Sequence, residues 1–103
     1  MPGSIYATRV TVVTNAMGST NINDGEPTYI HTVLISSTTA VTDQSFFESG
    51  VPQGSSITNQ VGEAVVDVNT PLEWNPYALF DKGFRVDAPD AGVFVTVTWR
   101  ADG

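Results

Sequence analysis

The stretch that most constrains the fold is residues 93–100, where apolar and polar side chains alternate without a break. Val93, Val95, Val97 and Trp99 share one face, and threonines and an arginine occupy the other. A period of two is typical of a β-strand with one buried face. Residues 83–87 form a shorter segment of the same kind, and the connection between the two contains proline, aspartate and glycine, which favour turns. The pattern predicts two strands joined as a hairpin.

The rest of the chain contains further short segments of strand character, separated by turn residues. We predict strands in residues 5–14, 29–35, 40–48, 57–61 and 63–69. Residues 15–28 are polar and rich in turn formers, which predicts a long surface loop. Residues 72–74 lie between Pro71 and Pro76, and because proline cannot donate to a ladder, they belong at a sheet edge or in a crossing loop.

No segment shows a helical period, and the turn signals recur at short intervals. Such spacing favours two packed sheets over an α/β architecture. The length of 103 residues matches one domain. We therefore predict a single all-β domain over residues 1–103, an antiparallel, jelly-roll-like β-sandwich of seven to eight short strands.

Alternation also predicts which side chains face the core and which face outward. The residues expected inside are Tyr6, Val10, Val12, Ile30, Leu34, Val66, Val68, Phe84, Val86, Val95, Val97 and Trp99. Those expected outside are Ile5, Val13, Val33, Ile35, Val65 and Phe94. So many outward apolar groups predict a homo-oligomer, with Val33 and Ile35 as partner-binding residues. The alternative is that these groups are scattered singly or lie under loops.

Charge and cysteine content exclude several kinds of partner. Eleven acidic against four basic residues give a net charge of -7, which would repel nucleic acid and anionic membranes. No apolar run approaches the ~20 residues that span a bilayer, and the first residues do not resemble a signal peptide. Without cysteine, disulfides and thiolate metal sites are impossible. We expect a soluble protein with no direct nucleic-acid or membrane partner.

The residues offer little for catalysis or metal binding. His31 is the single histidine, so a multi-histidine metal site is impossible and a catalytic triad would depend on this one residue. Residues 21–26 resemble a calcium loop, but Gly25 is the fifth residue instead of the sixth, and the twelfth position is Thr32 instead of an acid. Asp87 and Asp90 flank a turn where solvated carboxylates are expected. We predict no catalytic residue, no metal and no cofactor, and a protein that is not an enzyme.

Two aromatic residues beside an acid form the best candidate for ligand binding. Trp74 and Tyr77 follow Glu73 closely, and exposed aromatic rings stack on sugars while carboxylates accept hydroxyl hydrogen bonds. We name Trp74 and Tyr77 as further partner-binding residues, for a glycan, another protein or a neighbouring subunit. The alternative is that both rings cap one end of the sandwich or are buried against a second subunit.

Residues 29–100 contain a strand ending in Ser36-Ser37-Thr38-Thr39, a second leading to Phe46-Phe47, and the run Phe80-Asp81-Lys82-Gly83-Phe84-Arg85-Val86 before the last strand. This order of features resembles small β-sandwich virion proteins of tailed bacteriophages. Some of these proteins decorate or cement the capsid. The resemblance implies a structural protein on the virion surface, bound to the major capsid protein lattice, homo-oligomeric and possibly trimeric, with no catalytic residue to carry over.

Two other functions stay open. The first alternative is a receptor- or carbohydrate-binding module of a phage particle. The second is a small enzyme on a cupin-like jelly roll, but cupins bind metal through clustered histidines and this chain has one.

Overall fold

A computed structural model describes residues 8–49 and 60–102 and shows nine β-strands with one 3-10 turn, Asn15–Met17. The strands are β1 (Arg9–Thr14), β2 (Thr20–Ile22), β3 (Thr28–Ser37), β4 (Thr42–Glu48), β5 (Gln60–Val66), β6 (Leu72–Trp74), β7 (Ala78–Phe80), β8 (Phe84–Val86) and β9 (Val93–Ala101). In the described ranges no helix is long and apolar enough to cross a membrane. The predictions made for Ile5, Tyr6 and Ile57 lie outside the described residues.

The strands form two antiparallel sheets with the connectivity of a jelly roll. The five-stranded sheet has the order β1-β9-β3-β6, with β7 also paired to β3, and the four-stranded sheet has the order β2-β8-β4-β5. Strands from the two ends of the chain pair successively: β1 with β9, β2 with β8, β3 with β6 and β7, and β4 with β5. The chain is thus one long hairpin, rolled so that β9 also meets β3 and β8 meets β4.

The jelly-roll-like sandwich predicted from the sequence is therefore confirmed. β6 and β7 lie beside successive parts of β3, so the nine strands occupy eight positions. The local hairpin predicted for the last two strands is wrong, because β8 pairs with β2 and β4 while β9 pairs with β1 and β3. The turn between them carries the chain from one sheet to the other.

The core lies between the two sheets and is formed by alternate residues of their strands. Its buried apolar members are Val13, Ile22, Ile30, Val33, Ile35, Phe46, Val66, Phe84, Val86, Val93, Val95, Val97 and Trp99. The inward face predicted for β9 is confirmed along its whole length. The prediction is also confirmed for Ile30, Val66, Phe84 and Val86.

A β-bulge in β3 reverses the facing that alternation alone predicts for its second half. The pairing with β9 shifts register between Ile30 and Thr32, so one extra residue, His31, is accommodated in β3. Because side chains alternate with period two, this single residue exchanges the two faces beyond it. Val33 and Ile35 are fully buried and Leu34 is 41% exposed, so the outward facing predicted for the first two and the inward facing of Leu34 are wrong.

The facing predicted for β1 is also wrong. Val13 is fully buried, whereas Val10 and Val12 are exposed. The inward side of β1 carries polar groups that Trp99 accommodates: its indole Nε1 donates a 2.9 Å hydrogen bond to Thr11 Oγ1, and the Arg9 guanidinium lies 5.2 Å from its ring centroid. A face with fewer apolar residues can therefore be the buried one.

Two smaller differences concern the loops. The region 15–28 predicted as a loop contains β2, whose Ile22 is buried against Phe84 of the neighbouring strand. Residues 60–66 form one strand that overlaps two predicted ones, and because β5 ends at Val66, Val68 lies at the surface instead of in the core. The predicted edge position of residues 72–74 is confirmed, since β6 ends the order of its sheet.

Candidate functional site

The outward side of the five-stranded sheet carries a continuous group of uncharged side chains. We call it the neutral face and define it by the outward residues of β1, β9 and the second half of β3. They are Val10, Val12 and Thr14, then Phe94, Thr96 and Thr98, then Thr32, Leu34 and Ser36. Four of them, Val10, Val12, Leu34 and Phe94, are between 41% and 62% exposed.

Strand pairing places these nine residues in three cross-strand rows. Val12, Thr96 and Leu34 form the middle row, with β9 in the centre. Threonine and valine favour strands because their branched side chains pack well on a pleated surface. Threonine hydroxyls also keep the surface hydrated without adding charge. The rows therefore form a surface of apolar groups and hydroxyls, suited to contact with another uncharged protein surface.

The outward side of the four-stranded sheet is different. We call it the charged face: Asn21, Asp43, Ser45, Phe47, Glu63, Val65 and Arg85. The Arg85 guanidinium lies 4.7 Å from the ring centroid of Phe47, and the side chain is buried. Asp43 and Glu63 are exposed. The solvent-exposed charges of this face are therefore the two carboxylates, and its one cation is buried against Phe47.

A cleft of about 280 Å³ opens where the edges of the two sheets meet, between β5 and β6. Its lining combines apolar groups with two glutamates: Phe46, Val61, Gly62, Glu63, Ala64, Leu72, Glu73 and Trp74. The Trp74 indole lies against the backbone of Gly62, where an added Cβ would approach the ring to 2.8 Å. A glycine at this position thus allows the indole to form one wall of the cleft.

The structure gives the predicted partner-binding residues separate environments. Trp74 is half-buried, with its ring centroid 5.4 Å from that of Phe46, so it packs against the core as well as lining the cleft. Tyr77 is 61% exposed, has a left-handed backbone with φ 46°, and its ring lies 6.3 Å from His31. Val33 and Ile35 are fully buried within the sandwich. Neither is accessible to a partner, and Leu34 between them is.

The acidic turns are engaged in hydrogen bonds of their own. Asp24 Oδ1 accepts a hydrogen bond from the buried Ser49 hydroxyl, Asp87 accepts one from Ser19, and Asp90 accepts one from Thr42. Within residues 8–49 and 60–102, no three histidine or acidic side chains are placed to hold a metal ion. Two of these carboxylates therefore join one loop to another, and Asp90 joins a turn to strand β4.

Sequence reasoning missed the neutral face because it assigned Val10, Val12 and Leu34 to the core. A signal for it is nevertheless present. Residues 10, 12 and 14 and residues 94, 96 and 98 are two alternating sets that contain no charge, in a chain with 15 charged residues, 11 acidic and 4 basic. Looking for missing charge on either face of each strand, rather than for the more apolar face, would have identified it.

No family model matches this chain, and no curated protein or solved structure is significantly similar to it. The resemblance to phage virion proteins therefore stays a hypothesis based on the sequence pattern.

Proposed function

We propose that this protein is a structural virion protein that decorates and stabilises a bacteriophage capsid by binding the lattice of the major capsid protein. The observation that carries the proposal is the neutral face, a charge-free surface on a chain of net charge -7. The order of sequence features points to the same class of protein. Jelly rolls are common among viral capsid proteins, and also among lectins, so the fold agrees with the proposal without selecting it.

The chemistry of the neutral face suits a protein surface better than a charged ligand. A nucleic acid or an anionic membrane would need basic groups, and the nine residues include none. Desolvating threonine and valine costs less than desolvating carboxylates, so a flat uncharged protein surface can cover this face.

The size of the face favours binding in many copies. Three strands and three outward positions along each cover roughly 300 Å², compared with about 800 Å² per partner in a standard interface. One such contact is weak. In the predicted homo-oligomer or trimer, several copies are joined to each other, and together they bind the lattice more tightly than one copy does, through multivalency.

The first test is composition followed by loss. Mass spectrometry of purified particles should find this protein in copy numbers comparable to the capsid subunit. Particles that lack it should release DNA at a lower temperature or under milder osmotic shock. Detection of only a few copies per particle would contradict the decoration role.

A second test places a charge on one face at a time. Thr96→Lys puts a cation in the middle row of the neutral face, and Ser45→Lys puts the same cation on the charged face. Both residues are half-buried and belong to central strands of their sheets. Thr96→Lys should lose binding to particles while Ser45→Lys retains it, with equal melting temperatures as the folding control. Equal binding by both variants would exclude the neutral face as the contact.

The cleft beside Trp74 supports a second candidate, a carbohydrate-binding module of the particle. The indole wall would provide a stacking surface, and the outward-facing carboxylates of the lining residues Glu63 and Glu73 would accept hydroxyl hydrogen bonds at the rim of the cleft. Glycan arrays followed by calorimetry would test it. Glu73→Gln and Glu63→Gln should each weaken the binding of a specific glycan. Glycan binding that neither substitution affects would rule out this cleft.

A further inference from the structure

The outer edge of β1 differs from the other outer edges of the two sheets. Among the described residues, the outermost strands are β1 and the β6–β7 pair in one sheet, and β2 and β5 in the other. An outermost strand exposes backbone N–H and C=O groups to pairing by another chain. Folded proteins usually prevent this with short strands, proline, charge or bulges.

Three of these four edges carry such protection. β6 and β7 have three residues each and are separated by a segment containing Pro76, and β2 also has three residues. β5 is longer, but it presents the exposed Glu63 and its pairing with β4 contains a register shift. A second chain would therefore find too little continuous backbone to pair with at the short strands, and a carboxylate at β5.

β1 has none of these features along most of its length. Its six residues pair with β9 in unbroken register, and the strand contains neither proline nor an acidic residue. Its single charge, Arg9, is at the first position and lies over the Trp99 indole. Val10 and Val12 stand exposed beside the open edge on the neutral face.

We propose that β1 pairs antiparallel with β1 of a second copy of this chain, about a two-fold axis. The two five-stranded sheets then become one continuous sheet, and the two neutral faces become one surface of twice the area. A two-fold axis requires the same strand from both copies and closes at two subunits.

The distribution of charge favours β1 over β5 and β6 as the strand through which two copies of this chain pair. Two molecules of net charge -7 repel each other, so self-association is least opposed where no carboxylate enters the contact. Pairing through β5 or β6 would bring Glu63 or Glu73 opposite a like charge. Pairing through β1 places valines and threonines beside each other.

The length of the contact sets its strength. Six residues extend roughly 20 Å, and a single strand pair buries less than the about 800 Å² per partner of a standard interface. The dimer is therefore reversible and its population rises with protein concentration. Salt strengthens it, because screening reduces the repulsion between the two acidic molecules while no ion pair is lost.

Sedimentation velocity of the full chain, up to about 1 mM protein, is the first test. The wild type should shift from monomer to dimer, and the shift should occur at lower concentration in high salt. Val12→Glu should remain monomeric, whereas Val12→Thr, which keeps strand propensity, and Val65→Glu on edge strand β5 should dimerise like the wild type. A monomer at all concentrations, a stable trimer, or equal loss in Val12→Glu and Val65→Glu would overturn the proposal.

Cross-linking identifies the strand, since the chain has no native cysteine. Val10→Cys, Val12→Cys or an equimolar mixture of the two should form a disulfide-linked dimer under mild oxidation, because a two-fold antiparallel pair places position 10 or 12 opposite itself or opposite the other. Val65→Cys and Thr96→Cys should not. Cross-linking through Thr96→Cys alone would show face-to-face contact and refute edge pairing. The proposal does not depend on a capsid partner, so failure of particle binding would leave both measurements unaffected.

Discussion

The neutral face and the charged face lie on the two opposite outward sides of one sandwich, and they differ in charge more than in apolar exposure. Val65 on the charged face is as exposed as Val10 on the neutral face, 65% against 62%. The charged face surrounds its apolar groups with Asp43, Glu63 and Arg85, whereas within the neutral face their neighbours on β1, β9 and β3 are mainly threonines and the nearest carboxylate is that of Glu73 at the β6 border, opposite Leu34. Exposed apolar residues alone therefore do not indicate a contact surface.

The comparison also separates two demands on a strand. Packing against the opposite sheet requires apolar inward residues in both sheets, and both have them. Nothing in that requirement determines the outward residues, because alternate side chains point to opposite sides. A charge-free outward face is consistent with folding but is not needed for it, so we relate it to association.

The largest effect is expected when a charge is placed on either side of β3 beyond the bulge. Ile35→Asp would bury an unpaired carboxylate where the side chain is now fully buried, and should cost more than about 4 kcal/mol of unfolding free energy. Leu34→Asp, one residue earlier, should cost about 1 kcal/mol or less. Urea unfolding followed by circular dichroism measures both. The reverse order would show that the bulge at His31 is misplaced.

A smaller effect is expected at the cleft, where the edges of the two sheets meet. Gly62→Ala would push a methyl group against the Trp74 ring and should destabilise the fold by about 1–3 kcal/mol. Combining it with Trp74→Phe should give less than the sum of the two single effects, because the smaller ring leaves space for the methyl group. Strict additivity in this double-mutant cycle would mean that the two residues do not touch.

A substitution at Thr11, which lies between the exposed Val10 and Val12, tests which side of β1 faces the core. Thr11→Val removes the acceptor of the Trp99 Nε1 hydrogen bond and should cost about 1–2 kcal/mol. Thr11→Ser keeps the hydroxyl and serves as the matched control, with a smaller loss. Thermal melts monitored by tryptophan fluorescence would measure the difference in stability between the two variants. If Thr11→Val were as stable as the serine variant, the hydrogen bond would contribute nothing measurable.

The smallest change in stability, within about 0.5 kcal/mol, is expected for one lysine on each outward face. Val10→Lys and Val65→Lys replace valines of nearly equal exposure on edge strands of the two sheets. Retention on a hydrophobic-interaction column should fall more for Val10→Lys, because it places charge on a surface that has none. Equal decreases in retention would remove the distinction between the faces.

Several features of the fold could be read from the sequence because they depend on local pattern. Strict alternation predicted the strand at residues 93–100 and its buried side, and flanking prolines predicted the edge position of residues 72–74. The candidate site was harder to predict from the sequence. Trp74 was singled out and does line the cleft, whereas the neutral face depends on strand neighbours far apart in the chain: β1 and β3 become neighbours of β9 only after the chain is rolled.

Taken by itself, the sequence determined that this protein is a sandwich of short strands with turns at regular intervals, because a period of two and turn residues are properties of neighbouring positions. Only the tertiary structure decided which side of a strand is inside. In β3 one extra residue at His31 exchanged the two sides, and in β1 pairing with β9 turned Thr11 and Val13 inward. The physical reason is that alternation distinguishes two faces but does not choose between them. That choice depends on register with a distant strand and on whether a partner such as Trp99 satisfies the polar groups that become buried.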